Sequence, residues 1–306
     1  MAPPDASVVL VDGPWSHRDV AANGARFHVA EIGNGPLVLL LHGFPEFWWA
    51  WRHQLVALAD QGYRAVAMDL RGYGASDKPP RGYDPFTLSA DVAGVIRSLG
   101  EPDAVVVGHG WGGLLGWVTA VLHPKQVRRL APVSTPHPRR LRSALLTDLP
   151  QVMASRHALE FQLPWRPERR LTSDQGTYVE ELMRSWSAPG WPDPATAACY
   201  RQAIQVPGVA FAAVEYYRWA VRSFARPDGL RFARRMSAPI NAPVLQLHGA
   251  TDAMMAPRCA QGSGRYVEAP YRWRLLEGVG HFPHEEDPHR FNAELLAWLA
   301  DPEPDR

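Results

Sequence analysis

Three stretches of the sequence carry residue types that do chemistry when brought together. Asp252 follows an apolar run ending Gln246-Leu247-His248-Gly249, and His281 stands in Gly278-Val279-Gly280-His281-Phe282 after the next such run. A histidine backed by an aspartate is a general base: it takes a proton from water or a nucleophile, while the carboxylate fixes its tautomer and stabilises its charged form. The third stretch is Val105-Val106-Val107-Gly108-His109-Gly110-Trp111-Gly112-Gly113. A β-branched run, an abrupt glycine-rich turn and an apolar segment from Leu114 to His123 read as strand, sharp elbow and helix, the pedestal on which a nucleophile is held in a strained turn. The middle residue of this elbow is Gly110, which has no side chain. Elbow, acid, histidine is the chain order of a hydrolytic triad, and its nucleophile position is vacant.

The elements that must position these residues follow from periodicity and turn chemistry. Residues 16–32 alternate around Asn23-Gly24, a type I′ hairpin signal. Pro36 to Leu41 is a continuous apolar run, as expected of a strand covered on both faces. A helix from about Trp49 to Ala59, a strand from Tyr63 to Asp69, a helix from Phe86 to Leu99, the elbow and a strand from Val127 to Val133 continue the alternation. That rhythm predicts an α/β fold with a mostly parallel sheet flanked by helices. From Pro136 to about Pro239 no buried strand is legible, only arginine-, tryptophan- and proline-rich helical pieces. Pro243 onward restarts the sheet, Arg272 to Leu276 supplies the last strand, and Glu286 to Leu299 closes as an amphipathic helix. The expected organisation is a core in two parts, 1–135 and 241–306, with a helical cap at 136–240 inserted after the sixth strand. Such a cap lies over the C-terminal strand ends, where α/β folds bind ligands.

Composition bounds the partners. The chain has 306 residues, 46% apolar and 21% charged, with a net charge of +1. That balance is ordinary for a globular protein and gives no reason to expect nucleic acid or an anionic membrane as partner. Cys199 and Cys259 supply neither a disulfide framework nor a metal site. The N-terminal residues lack the pattern of a signal peptide, and no apolar run approaches the ~20 residues needed to cross a bilayer. A soluble cytoplasmic protein is expected. No metal is expected either: His281-x-x-His284 lacks a helical zinc-site pattern, and Gly72-x-Gly74-x-Ser76 lacks the spacing of a dinucleotide fingerprint, so no cofactor is implied.

Taken together, His42-Gly43-Phe44-Pro45-Glu46, the Gly-His-x-Trp-Gly-Gly elbow, Asp252 and Gly280-His281-Phe282-Pro283-His284-Glu285-Glu286 resemble the epoxide hydrolases of the α/β-hydrolase superfamily, from about Val29 to Leu299. The resemblance implies a two-step reaction in which an elbow aspartate attacks an epoxide carbon and a His–Asp pair activates water to hydrolyse the ester. Carried onto this chain, the acid is Asp252 and the base His281. Backbone N–H groups of Phe44 and Trp111 form the oxyanion hole, and the cap tyrosine that protonates the epoxide oxygen is Tyr217, with Tyr216 as the fallback. Gly110 stands where the family has aspartate. A second ring-opening tyrosine is not evident: Glu160 stands where some members have one, and Tyr178 is the substitute. Trp48, Trp165, Tyr216 and Trp219 are the expected apolar lining of the substrate pocket.

The expected function is that of an epoxide hydrolase, making a vicinal diol from a small apolar epoxide, silenced in this chain by Gly110. Both a deliberate exchange and a natural loss leave this pattern, and the survival of Asp252, His281 and Tyr217 favours the former. Three alternatives stay open: direct attack by a water that His281 and Asp252 activate, a haloalkane or haloacid dehalogenase relative, and a non-catalytic binder of a small molecule. His109, beside the vacancy, is expected to pack against the elbow rather than replace the nucleophile.

Overall fold

The structure is a computed structural model in which residues 4–302 are described; the first three residues and most of the acidic tail after Asp301 lie outside them. Strands β1 (Ser16–Ala22) and β2 (Ala25–Ile32) form an antiparallel hairpin. Its turn residues Asn23 and Gly24 both have positive φ, 47° and 73°, as a type I′ turn requires. There follow β3 (Leu37–Leu41), α1 (Arg52–Asp60), β4 (Arg64–Met68), α2 (Pro85–Ser98), β5 (Ala104–His109), α3 (Gly110–Leu122) and β6 (Val127–Val133). The chain then runs through α4 (Pro138–Thr147), α5 (Leu149–Ala154), α6 (Arg156–Glu160), α7 (Arg166–Thr172), α8 (Thr177–Trp186), α9 (Pro194–Ala203), α10 (Val209–Arg222) and α11 (Pro227–Arg235). It returns as β7 (Val244–Gly249), α12 (Pro257–Ala260), β8 (Tyr271–Leu276), α13 (Pro283–Glu286) and α14 (Pro288–Ala300).

Among the described residues the strands form one eight-stranded sheet in the order β1-β2-β4-β3-β5-β6-β7-β8. The hairpin is antiparallel to β4, and from β4 onward all pairs are parallel. β3 is buried at every position, because α2 packs with α3 and α1 with α14 in layers that flank the sheet. Local chemistry sets the helix starts. Asp84 caps α2 by accepting from the N–H groups of Phe86 and Thr87, with Pro85 in the first turn where its missing N–H costs nothing.

The order of the sheet locates the crevice. β3 lies between β4, which follows it, and β5, reached by crossing to its other side. At such a switch the loops diverge and leave a cleft at the C-terminal strand ends. His42–Glu46 after β3 and the elbow after β5 both open there. The elbow needs glycine on its inner side, since a Cβ on Gly112 would lie 2.1 Å from the carbonyl oxygen of Leu41. No helix among the described residues is long and apolar enough to cross a membrane.

Candidate active site

β5 ends at His109 and α3 begins at Gly110, whose φ is +51°. That left-handed conformation costs an L-residue roughly 1–2 kcal/mol, and glycine almost nothing. Space is not the obstacle to a side chain here. A Cβ on Gly110 would meet only Gly43 Cα at 3.4 Å and His281 Nε2 at 4.0 Å, ordinary contact distances. Trp111, next in the helix, has a first-turn N–H for which α3 itself offers no acceptor.

His281 donates from Nδ1 to Asp252 Oδ2 at 2.8 Å. The other carboxylate oxygen accepts from the backbone N–H groups of Met254 (2.9 Å) and Met255 (2.7 Å). His248 Nε2 lies 3.3 Å from Oδ2 while donating to the Met255 carbonyl at 2.7 Å. Burial opposes the Asp252 charge, but the facing His281 and the His248 contact outweigh it and hold the carboxyl below the usual carboxylate range. With Nδ1–H committed to Asp252, His281 presents the Nε2 lone pair toward Gly110, the geometry of a base aimed at the vacancy.

Behind the elbow, His109 is held at both ends: Nδ1 to Glu46 Oε2 at 2.7 Å and Nε2 to the His281 carbonyl at 2.8 Å. Both partners accept only, so both nitrogens carry protons and the ring is an imidazolium. Burial would lower its pKa, and the Glu46 carboxylate overrides that and raises it; Glu46 in turn is held well below its usual range, against its own burial, by His109 and His284. Glu46 also accepts from the Gly43 N–H at 2.7 Å, so this pair ties the loop after β3 to the backbone of the base. His284 lies 3.1 Å from Glu46 Oε1, and burial pushes its pKa down to about 4. Glu46, His109 and His284 are metal-ligand types whose atoms all lie within 4.8 Å of one another, yet His109 as a double donor has no lone pair for a cation.

Glu46→Gln leaves the imidazolium without its counter-charge, and breaking a buried pair in this way costs about 3–5 kcal/mol. Urea unfolding as a function of pH checks it. The pair contributes in full between about pH 4.5 and 6.5, the ordinary values of the two groups. The contribution falls at lower pH, as Glu46 takes a proton in the native state, and at higher pH, once His109 loses one. The variant should lack both limbs.

Above Gly110 lies a cavity of about 380 Å³ whose lining includes Phe44, Trp111, His157, Tyr217 and His281. Tyr217 comes from α10, its ring edge-on to those of Phe44 (5.5 Å) and Trp111 (5.1 Å). Burial raises its pKa, opposed by the nearby Trp111 indole, so at neutral pH the phenol keeps its proton. The indole N–H is only a donor, which leaves the Tyr217 O–H free to donate into the cavity.

The structure corrects the expected lining. Trp48 is fully buried but points away from the cavity, its indole donating to the Val9 carbonyl and its ring packed on Trp15 and His17. Trp165 is 75% exposed at the start of α7. Successive residues on a helix turn by about 100°, so when Tyr217 faces the cavity its neighbours cannot. Tyr216 donates to the Arg71 carbonyl, and Trp219 packs on Phe232; both line a smaller neighbouring space of about 100 Å³. Tyr178 and Glu160 bond to each other outside the cavity, where Glu160 also pairs with Arg170. His157, absent from the sequence-based candidates, does line the cavity, and Phe161 of the same helical face packs on both His157 and Phe44. Their spacing of four residues was the available signal.

A mostly parallel sheet, a helix-entering elbow at the switch point and a His–Asp pair after the last two strands define an α/β-hydrolase. Residues 36–288 match the family described as the alpha/beta hydrolase fold. The chain is 31% identical over 290 residues to epoxide hydrolase 4 of Homo sapiens, covering 90% of this chain and 76% of that one. It is 30% identical to the AB hydrolase superfamily protein YfhM of Bacillus subtilis, over 92% and 96% of the two chains. The crystal structure of epoxide hydrolase A from Mycobacterium thermoresistibile superposes with a TM-score of 0.82 at 29% identity, covering 94% of this chain and 98% of that one. The chain belongs to the epoxide hydrolases of the α/β-hydrolase fold.

Proposed function

We propose that this chain retains the binding pocket and the water-activating pair of an epoxide hydrolase and lacks the group that attacks the epoxide. The observation that carries this is Gly110: an elbow in the strained nucleophile conformation, with room for a side chain, under a cavity faced by His281 and Tyr217. The functional roles follow from chemistry. Tyr217 donates to the epoxide oxygen, the N–H groups of Phe44 and Trp111 receive the oxyanion, and Asp252 orients His281 for the hydrolytic step. The helices of 136–240 act as a cap that excludes water, and a small apolar epoxide is the ligand class. As it stands, the chain binds that ligand and does not form the aspartyl ester.

A second reading has its own support. The space left at Gly110 lies against the free Nε2 of His281, so a water there is within reach of an oriented base. Equimolar incubation with styrene oxide in heavy-oxygen water separates the two. The expected result is ligand-dependent quenching of tryptophan fluorescence with diol no faster than in buffer. Labelled diol formed by the chain in the first turnover establishes direct water attack instead.

A further inference from the structure

Two buried polar atoms in the cavity wall have no hydrogen-bond partner, His157 Nε2 and Ser134 Oγ. His157 is 4% exposed and enclosed by the rings of Trp186 (4.9 Å), Tyr217 (5.3 Å) and Phe161 (5.8 Å). The carbonyl of Ala154 lies beside the ring and opposes the effect of burial on it. A carbonyl only accepts, so its presence favours the tautomer with the proton on Nδ1 and the lone pair on the unpartnered Nε2. Burial pushes the pKa of the ring down to about 4, the Ala154 carbonyl opposing it, so the imidazole is neutral near pH 7 and Nε2 holds a lone pair. An acceptor buried without a donor is costly, and a ligand that supplies the donor recovers that cost.

We infer that His157 Nε2 is the acceptor for a hydroxyl of the ligand, so that this cavity takes an apolar alcohol or diol in preference to the corresponding epoxide. This rests on the cavity being the epoxide-hydrolase-type site proposed above. An epoxide has acceptor lone pairs only. It satisfies Tyr217 and offers His157 nothing. A diol presents an oxygen to the Tyr217 O–H and an O–H to His157. Both anchors are then filled, and the aromatic walls enclose the skeleton.

The test titrates the full chain with styrene oxide and with 1-phenyl-1,2-ethanediol, following tryptophan fluorescence. The diol is expected to bind about tenfold more tightly, the scale of one good hydrogen bond. His157→Phe, which keeps the aromatic bulk and loses the acceptor, should lower diol affinity about tenfold and leave epoxide affinity within about twofold. His157→Gln, which keeps an acceptor, should hold the diol. The dimethyl ether of the diol, titrated against the unaltered chain, should bind as weakly as the epoxide, a comparison that does not depend on any variant folding. Equal affinities for diol and epoxide, or for diol and ether, overturn the role of His157 while leaving the site reading intact. A parallel loss of both ligands in His157→Phe does the same. Binding of neither ligand to the unaltered chain overturns both.

Discussion

Gly110→Asp is expected to raise diol formation from styrene oxide by at least about 10³-fold, the conservative end of what a catalytic nucleophile is worth. The backbone already has φ +51° at this position, and a Cβ meets only ordinary contacts. On the proposed reading the carboxylate enters beside Tyr217, which protonates the leaving oxygen, the N–H groups of Phe44 and Trp111, which receive the oxyanion, and His281, held by Asp252. Strain sets the accompanying cost. An L-residue in the left-handed region loses roughly 1–2 kcal/mol relative to glycine, somewhat less for Asp, which visits that region more readily than most. The active variant should therefore melt below the parent. Gly110→Asn is the control, with similar strain and no carboxylate, and it should lose the same stability and make no diol. A folded Gly110→Asp that binds styrene oxide and leaves it unopened removes the proposal that the vacancy alone silences this site.

What was legible in the sequence was what strand periodicity and turn chemistry carry. Asp252 and His281 each follow an apolar run, so their meeting at one sheet edge follows from the parallel topology. The Asn23-Gly24 hairpin and the elbow are local signals with local causes. Orientation within the inserted helices was less accessible. Tyr216 and Tyr217 are adjacent, and only the packing of α10 on Trp111 and Phe44 decides that the second faces the cavity. Trp48 and Trp165 have the same side chain and opposite fates, one sealed against the hairpin and one in solvent. Hydrophobicity alone does not distinguish them. His157 escaped notice because its significance lies in an atom without a partner, a property of the assembled site. The commitment of both His109 nitrogens depends likewise on contacts with residues 63 and 172 positions away.

In the Gly110→Asp background, His281→Gln is expected to cut turnover by about 10²–10⁴-fold, the usual contribution of a general base, and to accumulate one covalent adduct per chain. On the proposed reading the two steps use different residues. In the first, a carboxylate oxygen of the introduced aspartate bonds to an epoxide carbon, the carbon–oxygen bond of the ring breaks, and the Tyr217 proton passes to the released oxygen. His281 takes no part in that transfer. In the second, water attacks the ester carbonyl and gives one proton to His281 Nε2, whose partner nitrogen Asp252 holds at 2.8 Å. The ester carbon–oxygen bond then breaks, the leaving diol oxygen takes the proton from His281, and the carboxyl that remains returns its proton to the Tyr217 phenolate. Removing the base therefore stops the chain after the first step, and intact-protein mass spectrometry should show an increase equal to the mass of the epoxide. Direct water activation predicts the reverse: with His281 gone no bond to the epoxide forms, and the protein keeps its original mass. An adduct that forms and persists thus assigns the attack to the elbow and the water to His281, whereas loss of turnover without an adduct moves the first bond-forming step to the water.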